Sequence, residues 1–163
     1  MSQSTSAATA ASNTPRGRFV PDDFSVPHGF LTEEFLLEPL TAKHNAQDFA
    51  AWTSSIDHIK KTPGFQGRKW PYEGMPLEQN KSDLEMHARD FAARRGFTYT
   101  VLDPRSGDVV GCVYIYPDGD GPAAHIRSWV RFDRSELDRP LYQQVLRWIR
   151  QEWPFESYAY APR

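Results

Sequence analysis

Apolar and polar residues alternate along two segments in the middle of the chain, a run of apolar residues lies between them, and together they predict three β-strands. The strands are Phe97–Asp103, Val109–Tyr116 and Ala124–Asp133. Alternation with a period of two is typical of strands that bury one face. The residues Pro104–Asp108 between the first two strands carry Pro, Ser and Gly and predict a turn. The three segments together predict an antiparallel meander.

The hydrophobic period lengthens to that of an amphipathic helix after the third strand, over about Ser135–Glu152. A second helix is predicted for Leu77–Arg95, before the meander. Gly96 is expected to end it, just after the two arginines that suit a helix C-terminus. The inner face of this helix is predicted to carry Leu77, Leu84, His87, Phe91 and, at its margin, Ala88.

The segment Thr32–Thr41 predicts a further strand before these elements, with Phe35, Leu37 and Leu40 pointing inward. Pro39 lacks an amide donor, which favours a sheet edge or the end of the strand. Thr41 is a suitable N-cap for a helix that begins at Ala42. The inner face of that helix is expected to carry Phe49 and Trp52.

The remaining segments set the predicted domain boundaries. Residues 1–25 are rich in Ser, Ala, Thr and Pro and predict a disordered tail, so that residues 26–163 form one domain. Glycines and prolines in residues 54–76 predict a loop with short helical turns. Phe155–Tyr160 alternates like a short final strand. The expected fold class is therefore mixed α/β (α+β), with a mainly antiparallel central sheet and flanking helices.

Composition narrows the function classes only modestly. With 163 residues and a formal charge of −2, the chain gives no electrostatic reason to expect nucleic acid or an anionic membrane as partner. The single cysteine, Cys112, excludes an intramolecular disulfide and indicates a small buried apolar residue. The N-terminus lacks the basic and apolar regions of a secretory signal, and no segment is long enough to span a bilayer, so the cytoplasm is the expected location.

Two segments carry a resemblance to a known family. The opening Thr32–Thr41 is similar to the "T-x-R-L-x-L-R-P-L" start of one branch of the GCN5-related N-acetyltransferases, with Glu34 and Glu38 where that branch has arginines. The strand Val109–Tyr116, with Gly111 near its start, resembles the second meander strand of the same family. The order of predicted elements resembles this family over about residues 30–160. The resemblance implies transfer of an acetyl group from acetyl-CoA to an amine of a small molecule or peptide.

The family's pyrophosphate motif, Arg/Gln-x-x-Gly-x-Gly/Ala, corresponds to Arg134–Arg139, where Leu137 and Arg139 replace the small residues. Ser135–Asp138 instead has the pattern of a capping box, which predicts a helix that satisfies its own amides. Acidic side chains there would repel a phosphate, and Pro140 removes one donor. Nearby arginines could still supply cations.

The resemblance also implies which residues form the site. Cofactor binding falls on the meander–helix junction, at Val130, Arg131, Arg134, Leu137 and Arg139. His125 on the third strand is the candidate general base, because histidine titrates in the useful range. Aromatic residues of the loop and the second strand are the candidate substrate contacts. The alternative for each of them is that it only packs in the core. They are Trp70, Tyr72, Tyr114 and Tyr116.

Three interpretations remain open at this point. The first is an acetyltransferase, the second a non-catalytic relative used for binding or assembly, and the third a protein that binds another ligand in the cofactor cleft. The family usually continues with a helix that carries a tyrosine acid, for which this chain shows no equivalent segment. Unpaired terminal strands are consistent with a homodimer. The histidines show no ligand spacing, so no metal is expected.

Overall fold

The computed structural model describes residues 18–119 and 123–163. Its six strands form one sheet in the order β1-β2-β3-β4-β5-β6, antiparallel throughout except that β6 runs parallel to β5. The strands are β1 Phe30–Leu31, β2 Leu36–Pro39, β3 Phe97–Leu102, β4 Val109–Pro117, β5 Ala124–Val130 and β6 Tyr158–Tyr160. The helices are α1 Asn45–Thr53, α2 Ile56–Lys61, α3 Leu77–Ala92 and α4 Asp138–Glu152. The predicted fold class and the antiparallel meander are confirmed.

The sheet is buried on both faces, and each face has its own core. In β3 every residue is buried, because side chains pointing either way meet a packed layer. The α4-side core contains Phe19, Val20, Phe35, Leu37, Phe97, Tyr99, Val101, Val110, Val113, Ile115, Ala124, Ile126, Val130, Leu137, Leu141, Val145, Trp148, Ile149, Trp153 and Tyr160. The α1-side core contains Leu40, Ala51, Trp52, Ile59, Phe65, Met75, Leu84, Leu102, Val109, Cys112 and Trp129.

Helix α4 follows its sequence pattern closely. Its buried residues Leu141, Val145, Trp148 and Ile149 recur every three or four positions and therefore share one face. Burial of such side chains contributes about 1.5–3 kcal/mol each. The helix begins at Asp138 rather than Ser135, because Phe132–Leu137 first forms a 3₁₀ turn.

The N-terminal boundary of the packed chain differs from the prediction. Phe19 and Val20, inside the segment expected to be a tail, are 5% and 2% exposed. Phe19 stacks on Phe97 with ring centroids 5.9 Å apart. The Arg94 guanidinium donates to the carbonyls of Pro21 and Phe24 at 2.6 and 2.8 Å. Ordered packing thus starts before Val26, and residues 1–17 of the predicted tail lie outside the described residues.

The end of α3 was also predicted incorrectly. The helix ends at Ala92, and Arg94, not Gly96, adopts the left-handed conformation, with φ of 60°. The bonds of Arg94 to the N-terminal segment offset the cost of that conformation. Gly96 has a different role, because a Cβ there would lie 2.3 Å from the Tyr116 ring. Leu77 was expected to face inward but is 43% exposed.

Several smaller expectations are confirmed or corrected. Phe35, Leu37 and Leu40 are buried as predicted, and Pro39 is the last residue of β2. Thr41 precedes a 3₁₀ turn that leads into α1, and its amide donates to His44 Nδ1 at 3.1 Å. The third meander strand ends at Val130 rather than Asp133. In the described residues, none of the helices is long and apolar enough to cross a membrane.

Candidate active site

A cavity of about 460 Å³ lies against the α1-side face of β4 and β5, and helix α3 forms part of its wall. Its apolar lining includes Phe65, Trp70 and Tyr114. The remaining lining is largely ionisable or polar: Asp48, Arg68, Asn80, Asp83, His87, Asp90, Tyr116 and Arg127. A cleft of this size with an aromatic wall and a few polar groups is typical of a small-molecule site.

Three of the four predicted substrate contacts line this cavity. They are Trp70, Tyr114 and Tyr116. The ring of Trp70 lies 6.4 Å from that of Tyr114 and 6.2 Å from that of Trp129, so the loop aromatics cover the sheet. Tyr72 lies outside the cavity lining and packs against the α1-side core. Their role in binding stays a prediction.

One wall of the cavity is a buried polar network on α1 and α3. Asn80 donates from Nδ2 to Asp48 Oδ2 at 3.1 Å, and its Oδ1 accepts from Trp52 Nε1 at 3.0 Å. Asp48 is only 4% exposed. Burial raises the pKa of Asp48 to about 6, and the Asn80 hydrogen bond only partly opposes it. Burial, reinforced by the Asp48 charge, also raises the pKa of the Cys112 thiol, which fits the predicted unreactive cysteine.

The Asp48 carboxyl makes a testable contribution to stability. Its pKa in the folded state, about 6, is above the ordinary value of 3.8, so the unfolding free energy falls as the pH rises from 3.8 to about 6. Asp48→Asn removes the charge and keeps an oxygen that accepts from Asn80. We expect it to raise the unfolding free energy by about 1–3 kcal/mol at pH 8 and to lose that advantage at pH 4. Urea unfolding at both pH values measures this, and a variant less stable than wild type at pH 8 would contradict it.

A hydrogen-bonded relay on α3 and β4 orients one cavity histidine. Tyr116 donates its hydroxyl proton to Asp90 Oδ2 at 2.9 Å. The Tyr116 oxygen lies 2.8 Å from His87 Nδ1, and Thr98 Oγ1 lies 3.1 Å from the same nitrogen. Because the Tyr116 proton points to Asp90, its oxygen accepts, and Nδ1 must carry the imidazole proton. The basic nitrogen of His87 is therefore Nε2.

Burial lowers the pKa of His87, and the charges of Asp90 and Asp83 only partly oppose the shift. The ring is therefore a neutral imidazole near pH 7 and able to accept a proton. Gly96 permits this arrangement, since the Tyr116 ring occupies the space of its missing Cβ. From the sequence, His87 was predicted to lie on the inner face of a helix, with no chemical role. The three-residue spacing of His87 and Asp90, which puts both on one helix face, was the available signal.

His125, the predicted base, lies opposite Tyr116 in the pairing of β4 with β5 and is partly exposed. Burial lowers its pKa, and the charges of Arg127 and Arg68 add to that effect. It is outside the cavity lining. Its role as a base is untested and stays a prediction.

Strands β5 and β6 pair over only three residues, and the space beside β5 beyond that pairing, called the gap, is the second feature of the site. Pairing ends at Ile126 and Tyr160. The Ala124 amide donates to Ser157 O, toward β6, so by alternation the backbone groups of Ser128 and Val130 also point into the gap. The side chain of Arg163, which is 4% exposed, occupies this space and bonds to Ser128.

Arg163 is held from several directions. Its guanidinium donates to Ser128 O at 2.7 Å and to Pro63 O at 3.3 Å. Its Nε lies 2.7 Å from Asp138 Oδ2, at the start of α4. The guanidinium carbon lies 5.8 Å from the centroids of the Tyr142 and Tyr160 rings. The Tyr160 hydroxyl is hydrogen-bonded to Ser128 Oγ. Nothing in the sequence pattern indicated these contacts.

The start of α4 differs from the predicted capping box. Ser135 lies within the 3₁₀ turn, and no side chain caps the helix. The amide of Asp138 instead donates to Ser135 O. Asp138 Oδ1 is buried and has no hydrogen-bond partner among the described residues. The prediction that this helix end is self-capped by side chains is therefore wrong, although its acidic character is confirmed.

The predicted cofactor residues differ in their surroundings: two arginines are ion-paired, two apolar residues are buried and one arginine is exposed. Arg131 binds Asp133 with an N–O distance of 2.6 Å, and Arg134 binds Asp103 at 3.3 Å. Val130 and Leu137 are buried in the α4-side core, and Arg139 is exposed. Their assignment to a cofactor stays a prediction.

Comparison with known proteins identifies the fold. No profile of a known family and no curated protein sequence matches the chain. Solved structures do match it. The microcin C7 self-immunity acetyltransferase MccE, solved with acetyl-CoA and AMP, aligns over 77% of this chain and 67% of its own, with a TM-score of 0.60 and 15% identity.

Two ribosomal-protein acetyltransferases give similar values. RimL, a ribosomal L7/L12 alpha-N-protein acetyltransferase solved with coenzyme A, aligns over 76% of this chain and 68% of its own, with a TM-score of 0.59 and 11% identity. The ribosomal-protein-S5-alanine acetyltransferase from Vibrio fischeri aligns over 74% and 66%, with a TM-score of 0.56 and 13% identity. The match thus spans about two thirds of each neighbour. The mixed, mainly antiparallel sheet with its flanking helices and these neighbours together show that the chain has the fold of the GCN5-related N-acetyltransferases.

Proposed function

We propose that this protein is an N-acetyltransferase that uses acetyl-CoA to acetylate an amine bound in the cavity beside β4 and β5. The observation that carries the proposal is the adjacency of two features on β5. The side chain of Arg127 lines the cavity, while the backbone of the next residue, Ser128, opens into the gap. The fold neighbours solved with acetyl-CoA and with coenzyme A support this choice of co-substrate.

The residues at the start of α4 do not fit a pyrophosphate in the arrangement that the glycine motif provides. No glycine lies between Arg131 and Pro140, and the turn carries Asp133, Glu136 and Asp138. Arg163 fills the gap beside Ser128. Acetyl-CoA can therefore bind in this gap only after the Arg163 side chain has left it.

On the acceptor side, the structure supports His87 as the general base. An amine must lose a proton to become a nucleophile, and a general base has to be unprotonated at the working pH to accept it. The neutral His87 ring lines the cavity, with Nδ1 held by Tyr116. Proton transfer would go to Nε2, and the resulting imidazolium would be stabilised through Tyr116 by the Asp90 carboxylate.

The cavity and the neighbours suggest two classes of acceptor. Two of the neighbours are ribosomal-protein acetyltransferases, so a peptide amine is one acceptor class, while a cavity of about 460 Å³ also suits a small molecule. The cytoplasm, where acetyl-CoA is available, is the proposed location. A homodimer stays a prediction that a solution mass measurement would test.

The assay that tests the function is release of the coenzyme A thiol from acetyl-CoA with tyramine, tyrosine and a short peptide as acceptors. We expect His87→Ala to lower kcat/KM by about 100-fold or more, the range of general base catalysis. Tyr116→Phe, which keeps the ring but breaks the relay, should lose less and shift the pH–rate profile. His28→Ala, an exposed histidine beside β1, is the matched control.

Two results would count against these assignments. Equal or greater loss from His125→Ala than from His87→Ala would place the base on β5, as the sequence predicted. Absence of thiol release with every acceptor, together with no binding of acetyl-CoA at millimolar concentration, would contradict the proposed function itself.

A further inference from the structure

Arg127 differs from the other arginines of the described chain in its burial and bonding. Within residues 18–119 and 123–163, the other partly buried arginines all have hydrogen-bond partners. They are Arg94, Arg131, Arg134 and Arg163. Arg127 is also partly buried, yet in the same residues its guanidinium makes no hydrogen bond and lies near no carboxylate at ion-pair distance. A desolvated cation without a partner costs free energy, which a bound anion would offset.

The stem of Arg127 is fixed although its head is unpaired. A Cβ at Gly64 would lie 3.3 Å from Arg127 Cγ, so the loop backbone packs closely on the stem. The same side chain lines the cavity. The geometry therefore holds a guanidinium at the cavity wall without using its donors.

A second cation faces the same place. Arg68 lines the cavity as well. Burial lowers the pKa of Arg127, and the positive charge of Arg68, an exposed side chain, lowers it further. Within the described residues, Arg68 has no ion-pair partner either. Two unpaired guanidinium groups at one wall form a binding position for an anion, because each presents a fork of donors that matches carboxylate or phosphate oxygens.

The cavity also contains negative charge for the amine of a ligand. Asp83 and Asp90 line it, as does the buried Asp48. Phe65, Trp70 and Tyr114 supply an apolar part of the same lining. A molecule that suits the whole lining carries an amine, an apolar or aromatic body and an anionic group.

We infer that the acceptor is a small amine that also bears a carboxylate or a phosphate, and that Arg127 and Arg68 bind this anion. That this ligand accepts an acetyl group rests on the proposed function. The binding of the anion by the two arginines does not require acetyl transfer. Arg127 and Arg68 then determine which ligands bind, while His87 accepts the proton of the amine.

Binding is measured by calorimetry without acetyl-CoA, using three probes with the same aromatic amine body. Tyramine has no anion, tyrosine adds a carboxylate, and tyramine O-phosphate adds a phosphate. We expect one or both anionic probes to bind about tenfold or more tightly than tyramine, the usual gain from a charge-assisted hydrogen bond. Comparison of tyrosine with the phosphate shows which anion the site prefers, and the preference should weaken at high salt.

Arg127→Ala should abolish the preference for anionic probes while leaving tyramine binding within about threefold. Arg147→Ala removes one positive charge from an exposed position on α4 and is the matched control. Tyramine binding as tightly as its anionic relatives would overturn the inference, as would an anion preference that survives Arg127→Ala or the absence of binding by all three probes.

The two proposals fail separately. Anion-dependent binding without thiol release from acetyl-CoA would retain the site and reject the acetyltransferase. Acetyl transfer to tyramine and tyrosine at equal efficiency, with no anion preference in binding, would retain the enzyme and reject the anion site.

Discussion

Arg163→Ala is expected to lower the free energy of unfolding by about 3 kcal/mol and to strengthen acetyl-CoA binding by about tenfold or more. The loss of stability follows because Asp138 and the carbonyl of Ser128 lose their partner in a buried position. The gain in affinity follows because the ligand no longer has to displace a bonded side chain from the gap between β5 and β6. Urea unfolding and calorimetric titration measure the two effects on the same samples.

Arg163→Lys is the control for charge. Lysine keeps the attraction to Asp138 but lacks the planar fork that reaches Ser128 and Pro63 together. We expect stability and acetyl-CoA affinity between those of wild type and the alanine variant. Weaker binding of acetyl-CoA by Arg163→Ala would show that Arg163 contributes to the donor site instead of obstructing it.

Gly111→Ala is the second substitution with a large expected effect. A Cβ at Gly111 would lie 2.3 Å from Trp129 O and 3.3 Å from the Cα of Val130, both in the backbone of β5. Backbone cannot rotate away as a side chain can, so β4 and β5 would have to separate. We expect a loss of about 3 kcal/mol in the free energy of unfolding, at the upper end of overpacking effects.

Gly107→Ala provides the comparison for Gly111. Gly107 has φ of +76° in the β3–β4 turn and no heavy atom within 4 Å of the added carbon. Alanine there pays only the cost of a left-handed conformation, about 1 kcal/mol. Thermal and urea unfolding of the two variants should therefore separate steric from conformational cost. Equal destabilisation of both would refute the contact between Gly111 and β5 as the cause.

The elements most visible in the sequence are those whose burial is periodic. The meander strands bury alternate or all positions, and α4 buries one helical face, so hydrophobic pattern alone predicted their existence. Their ends were less predictable. Asp138, not Ser135, begins α4, because the chain first closes a 3₁₀ turn whose backbone bonds replace the expected side-chain cap.

The candidate site was predictable only where it follows the pattern of a single element. Trp70, Tyr114 and Tyr116 were identified because aromatic residues in a loop and a strand are visible locally. The His87–Tyr116 bond joins residues 29 positions apart, and the Arg163–Ser128 contact joins residues 35 apart. Such pairings depend on how the sheet and helices are assembled. The spacing of hydrophobic residues within a single element carries no information about that assembly.

The two cores on opposite faces of the sheet have a consequence for how this protein can diverge. Each buried apolar residue belongs to one core or the other, so substitutions around the cavity leave the packing of α4 unchanged. Changes at well-separated positions add in their effect on stability. Substitutions that change what the cavity binds can therefore draw on stability contributed by the other face of the sheet.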